Sequence, residues 1–150
     1  MRYETFVACG QQYHLETNTG VLWTYGPQLD ALWQAIGWQP RGEEKWQEVI
    51  RKTSFCVAVR DSMSIVGFGR ILEDGIMCMV YDIGVHPRVQ GQGIGTKVME
   101  TLLDRIKDRD FASIGLFAWE HNPNNVPFYR KFGFEPVATG MECVRHMKRE

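Results

Sequence analysis

No apolar run in this 150-residue chain approaches the roughly 20 residues that a membrane-spanning helix needs, so no membrane partner is expected. There is no excess of either charge: 17 Lys and Arg stand against 18 Asp and Glu, a net charge of −1. A non-specific nucleic-acid binder would carry a broad basic face, so nucleic acid is not an expected partner. A local basic pocket for a small anion is still allowed. Cysteine is sparse: Cys9, Cys56, Cys78 and Cys143 form no C-x-x-C pair and keep no regular spacing, which argues against a zinc or redox site. No metal is expected. Cys56 and Cys78 lie inside apolar runs and read as small core residues. The opening Met1-Arg2-Tyr3-Glu4-Thr5 lacks the basic-then-apolar pattern of a secretory leader, so the expectation is a cytoplasmic protein without disulfides. There is no repeat, low-complexity tract or linker, and the length suits a single domain over residues 1–150.

The hydrophobic pattern is that of a mixed α/β (α+β) chain. Leu29, Leu32, Trp33 and Ile36 recur at helical spacing and predict a helix over 28–36, stopped by Gly37. Trp46, Val49 and Ile50 predict a second over 43–52. Residues 11–25, polar with scattered β-formers, yield one strand. Then the period changes. Residues 54–59 and 65–72 read as a hairpin around Arg60-Asp61-Ser62, and a turn at Glu73-Asp74-Gly75 leads into a further strand over 76–85. Three antiparallel strands in a row follow. Over 95–108, Val98, Met99, Leu102, Leu103 and Ile106 form the apolar stripe of the clearest helix. A short buried strand over 114–119, a short helix over 126–132 ended by Gly133, and a final strand or hairpin over 134–147 complete the pattern. The expected architecture is a mixed, mostly antiparallel central sheet flanked by about four helices.

The most informative stretch is Val85-His86-Pro87-Arg88-Val89-Gln90-Gly91-Gln92-Gly93-Ile94-Gly95. A strand ends, Pro87 forbids the ladder from continuing, and glycines lead straight into the best helix. Glycines let the backbone approach a ligand closely, and first-turn amides at a helix head favour an anion. A phosphate-binding turn is the physical reading, and a ligand-free glycine turn is the alternative. A dinucleotide fingerprint would need Gly where Thr96 or Val98 stands, and a nucleotide-hydrolase loop would need Gly-Lys followed by Ser or Thr, against Gly95-Thr96-Lys97 here.

Gln90-x-x-Gly93-x-Gly95, after the strand ending Asp82-Ile83-Gly84-Val85-His86-Pro87, resembles the acetyl-CoA pyrophosphate loop of the GNAT superfamily of N-acetyltransferases. A second stretch, Asn122-Pro123-Asn124-Asn125-Val126-Pro127-Phe128-Tyr129-Arg130-Lys131-Phe132-Gly133-Phe134, resembles that family's later signature, an Asn seven residues before the Tyr of a Phe-Tyr-x-x-x-Gly-Phe block. Two signatures in the right order are far more specific than either alone. The likeness covers residues 54–136.

The resemblance implies a GNAT-type fold and transfer of an acetyl group from acetyl-CoA, as co-substrate, to a primary amine by direct attack in a ternary complex. Tyr129 would be the general acid that protonates the departing thiolate. Main-chain amides from Gln90 through Gly91, Gln92, Gly93, Ile94 and Gly95 to Thr96, with the Gln90 side chain, would hold the pyrophosphate. Val85 would pair with the pantetheine amides as an added strand and supply an oxyanion donor. Asn122 would bond the pantetheine or its water, or else simply form a turn. Lys131, with Arg88, Lys97 and Arg130, is a candidate for the coenzyme's other phosphate. Asp82 is the carboxylate on 76–85 and the candidate base, with a water chain as the alternative. Strict alternation puts Tyr81 with Val85 and Asp82 on the opposite face, unless a bulge intervenes. His86 could also titrate usefully, or be simply solvated.

Trp23, Tyr25, Trp33, Trp38 and Trp46 fall within 24 residues, as core or as an aromatic wall for the acceptor. The acceptor expected is a small molecule, arylalkylamine-like or polyamine-like. A protein lysine or N-terminal acceptor, or a non-catalytic acyl-CoA-binding module, is the alternative. Dimers are frequent in the family, so a homodimer is allowed.

Overall fold

A computed structural model describes residues 3–17, 20–118 and 121–137, the side chains of 3 and 20–25 excepted. These fall into two compact units, Met1–Phe117 and Ala118–Glu150. In chain order the elements are β1 (Tyr3–Ala8), β2 (Gln11–Glu16), α1 (Gly20–Ile36), α2 (Glu43–Lys52), β3 (Phe55–Arg60), β4 (Ile65–Glu73), β5 (Met77–Val85), α3 (Ile94–Ile106), β6 (Ser113–Leu116) and α4 (Asn125–Arg130). The six strands form one sheet in sequence order. Neighbours from β1 to β5 are antiparallel, and β6, returning after α3, lies parallel to β5.

Alternation along β4 divides the core into two layers. Phe68 points to one face, where its ring meets Trp33 at 5.8 Å and Trp46 at 6.2 Å, in a cluster with Leu29, Leu32 and Ile50 of α1 and α2. Gly67 and Gly69 point to the other, where α3 lies so close that a Cβ on Gly69 would stand 2.7 Å from Val98 and 3.0 Å from Leu102. Glycine is required at 69 because helix and sheet share that space. Helix α2 matches its dipole with Glu43 and Glu44 in the first turn and Arg51 and Lys52 in the last. The Asp30 carboxylate accepts from the backbone N–H of Arg41 and Gly42, and from Trp46 Nε1, which fixes the connection between the two helices.

Helix α2 follows the predicted span, and the three central strands and α3 lie within two residues of theirs. Other features differ. Strand β1 was not foreseen: its hairpin turns at Cys9 and Gly10, both at positive φ (49° and 77°), without the Asn-Gly chemistry that announces such turns. Helix α1 begins at Gly20 rather than at 28 and carries Pro27 inside it. Strand β6 is exposed at Ser113 and Ile114 rather than buried; among the described residues it pairs with β5, over four residues. Of the expected final strand, 134–137 has no regular structure, and 138–147, with Cys143, lies outside the described residues. Cys56 and Cys78 are buried as expected; burial pushes the Cys56 thiol up to about 12 and raises Cys78.

Candidate functional site

The first unit gathers the strand end and the glycine turn. His86 N–H donates to Val66 O at 2.8 Å, so the ladder's alternation directs the N–H and C=O of Val85 away from β4. On that side β6 covers β5 only from Met77 to Val80. The edge from Tyr81 to Val85 is therefore not covered by β6. Gln90 Nε2 donates to Val85 O at 3.0 Å, leaving the Val85 N–H directed into the same gap.

Pro87–Val89 form one 3₁₀ turn, closed by Val89 N–H on His86 O, and His86 Nδ1 accepts the Arg88 N–H at 3.2 Å. Gly91 and Gly93 follow at φ 78° and 86°, in the left-handed region. The first bond of α3 is from Lys97 N–H to Gly93 O, and Gly93 has no side chain with which to cap. The N–H groups of Ile94, Gly95 and Thr96 thus have no helical acceptor, at the end where the dipole is positive.

Three ties hold this turn. Tyr13, fully buried on β2, donates its hydroxyl to Gln92 Oε1 at 3.0 Å. Arg88 donates to buried Asp61 and, at 3.1 Å, to Ser64 Oγ in the β3–β4 turn. Burial raises the Asp61 carboxyl, but Arg88 and the Met63 and Ser64 N–H groups outweigh it and hold it below the usual range. The third tie is Gln90 to Val85. The Gln90 side chain, expected on the pyrophosphate, is bound to the strand instead, and Gln92 is likewise turned inward. The turn presents main-chain amides. Nothing in the sequence pattern singled out Tyr13, which is 79 residues from its partner.

The candidate phosphate cations separate. Arg88 is bound to Asp61, Lys97 to Glu4 at 3.0 Å and Arg130 to Glu135 at 3.1 Å. Lys131 lies 5.3 Å over the Phe128 ring and has no carboxylate partner among the described residues.

Asp82 is not where alternation puts it. Arg70 pairs with Tyr81 and Phe68 with Gly84, so Asp82 and Ile83 together face Gly69, a bulge with Asp82 at φ 58°. Tyr81 and Asp82 consequently share the face of α1 and α2, and Val85, paired with Gly67, lies on the face of α3. Arg41 grips the Asp82 carboxylate with both terminal nitrogens at 2.7 Å, and Arg70 Nε adds a third bond at 2.7 Å. Burial alone would raise this carboxyl; Arg41 first and Arg70 second outweigh it and hold it below the ordinary carboxylate range. The carboxylate proposed as base is thus held by two guanidinium groups. Trp33 and Trp46 are core residues, 2% and 1% exposed, which removes both from the aromatic wall. Trp38, half-buried, stands near Gly84; the side chains of Trp23 and Tyr25 lie outside the described residues.

The second unit carries Asn122, Tyr129 and Lys131 around α4. Asn122 Oδ1 accepts the Asn124 N–H at 3.0 Å and its carbonyl accepts the Asn125 N–H, so Asn122 forms the turn into the helix. Tyr129 packs edge-on against Phe128 at 5.0 Å and Phe134 at 6.4 Å. Burial pushes its phenol up to about 12, so it is protonated throughout the neutral range.

The first unit thus brings together a strand edge that β6 does not cover beyond Val80, a left-handed glycine turn and a helix head whose first amides have no helical acceptor. The sequence model of the acetyltransferase (GNAT) family matches residues 18–134, and the chain belongs to that family. It is 32% identical over 125 residues to serotonin N-acetyltransferase 2, chloroplastic, of Oryza sativa, covering 79% of this chain and 59% of that protein. It is 31% identical over 127 residues to histone acetyltransferase TAP1 of Glycine max, covering 76% and 53%. The chain spans about three fifths of the length of the curated relatives it matches. An acetyltransferase structure of the GNAT family from Streptococcus pneumoniae superposes with a TM-score of 0.74 at 27% identity, covering 90% of this chain and 99% of that one.

Proposed function

We propose that this chain transfers an acetyl group from acetyl-CoA to a primary amine of a small molecule, arylalkylamine-like or polyamine-like, by direct attack. The observation that carries the reading is the run of amides from Ile94 to Thr96 that have no acceptor within the helix, opening off Gly91 and Gly93 beside the edge of β5 that β6 does not cover. The residues fit the coenzyme: the loop's polar side chains are tied inward, so a diphosphate would meet backbone N–H groups and the positive helix end.

Bound acetyl-CoA supplies an activated thioester. The Val85 N–H, aimed into the gap, would donate to the thioester oxygen as negative charge builds there. Tyr129, neutral and protonated, would donate its phenolic proton to the sulfur as the C–S bond breaks and be reprotonated from solvent. Asn122 Nδ2 and Lys131 Nζ would serve the pantetheine arm and a phosphate. An alkylammonium of pKa about 10.4 is mostly protonated at pH 7, and freeing its lone pair costs about 4–5 kcal/mol. With Asp82 engaged by two arginines, that proton would leave through solvent.

The rice relative's name supports the small-amine acceptor, and the soybean relative's supports a protein lysine as the second reading. Thiol release from acetyl-CoA, measured over a panel of arylalkylamines, polyamines, lysine peptides and free N-termini, decides between them. Turnover concentrated on small amines is the expected result. Turnover on peptides alone would reassign the acceptor, and coenzyme-induced stabilisation without turnover on any amine would mean a binding module.

A further inference from the structure

Asp82 carries three hydrogen bonds from two arginines, and the function proposed above gives it no task. Both of its oxygens accept from guanidinium groups, whose positive charges disfavour its protonation. The arginines are themselves held. Arg41 lies against the rings of Trp33 at 5.3 Å and Trp46 at 4.7 Å, and its backbone N–H is anchored on Asp30. Arg70 stacks over Tyr81 at 4.9 Å. The side chains of Arg41, Arg70 and Asp82 are 27%, 12% and 13% exposed, so water screens this cluster little. Arg41 from the α1–α2 connection, Arg70 from β4 and Tyr81 from β5 are the titratable groups that face the carboxylate among the described residues.

The cluster sits on the bulge. Asp82 is an L-residue in left-handed backbone, a conformation that persists only where its surroundings enforce it. Two residues on, Gly84 is pressed so closely against α1 that a Cβ would stand 2.7 Å from Ile36 Cδ1. Val85 follows, tied by Gln90. The segment is thus held at Asp82, Gly84 and Val85.

Building on the acetyl-CoA reading, we propose that Asp82, gripped by Arg41 and Arg70, is a positioning residue rather than the proton acceptor. It pins the β5 bulge and so sets the direction in which Val85 offers its N–H to the coenzyme. The pin also joins the α1–α2 connection to the coenzyme strand, so a change at Arg41 reaches Val85 without touching it.

The test compares coenzyme A affinity by calorimetry, and the pH profile of kcat/KM for the best amine, in Asp82→Ala, Asp82→Asn, Arg41→Gln and the Arg41→Gln/Asp82→Ala double variant. Asp82→Ala and Arg41→Gln should each weaken coenzyme A by about tenfold. The double variant should be no weaker than the poorer single, since one pin is lost in each. Asp82→Asn, which tolerates left-handed backbone, should recover part of the affinity and keep the acidic limb of the profile. An effect of charge alone would drive the Asp82 and Arg41 variants in opposite directions, which would overturn the proposal. So would unchanged affinity in every variant, and so would loss of the acidic limb at Asp82 alone, which would make it the base. A wild-type chain that binds no coenzyme A would instead overturn the acetyl-CoA reading itself.

Discussion

Replacing Gly93 by alanine places a Cβ where no atom lies within 4 Å, so packing has no part in the outcome. What changes is the backbone. At φ 86° an L-residue is disfavoured by about 1–2 kcal/mol relative to glycine. If the turn holds its shape, the folded state carries that cost, and the melting midpoint of a chain this size falls by about 2–8 °C. If the turn relaxes to negative φ, the amides that follow are re-aimed, and coenzyme affinity falls by about 5- to 30-fold at an unchanged midpoint. The two losses should together come to about 1–2 kcal/mol, however they divide. Gly93→Asn should lie between, because Asn tolerates left-handed backbone. Melts with and without coenzyme A, combined with calorimetry, measure both parts. A Gly93→Ala chain with wild-type midpoint and wild-type affinity would refute the reasoning.

Further outcomes follow from the same geometry. Tyr129→Phe should lower kcat by about 10²- to 10⁴-fold while leaving coenzyme affinity unchanged, and unaltered turnover would remove Tyr129 as the proton donor. Tyr13→Phe releases Gln92 and should cost about 0.5–1.5 kcal/mol of stability together with weaker coenzyme binding; a loss of stability alone would show that the tie does not shape the turn. Asp61 and Asp82 both have depressed folded-state pKa values, so their contribution to stability is present above the ordinary carboxylate value of about 4 and is lost as pH falls below it. Urea midpoints between pH 6 and pH 3.5 should fall in the wild type and fall less in Asp61→Asn; parallel slopes would contradict this.

Much of the architecture was legible because burial imposes a period. Val98, Met99, Leu102 and Ile106 could only be one face of α3, and the run from Phe55 to Val85 could only be strands. What the sequence did not show depends on contacts or on backbone outside the common pattern. The first two turns of α1 hold Val21, Trp23, Thr24 and Tyr25 just before Pro27, residues that disfavour helix locally but are helical in the fold. The Cys9-Gly10 turn offers no standard hairpin signal, so β1 went unseen. The candidate site divides in the same way. The glycine turn is local and could be read directly, as could Asn122 and Tyr129 through their block. The surroundings of Asp82 could not be read, because its partners Arg41 and Arg70 are 41 and 12 residues away and a bulge reverses the face that alternation assigns to Val85. The only local hint was a polar Asp inside a strand, a residue type that accepts positive φ more readily than its neighbours do.

A crystal structure of the chain with coenzyme A bound bears most directly on the central claim. Diphosphate oxygens should lie within hydrogen-bonding distance of the amides between Gly91 and Thr96, and the pantetheine arm along the edge of β5 that β6 leaves open at Val85. A diphosphate held by side chains elsewhere, with those amides facing only water, would contradict it.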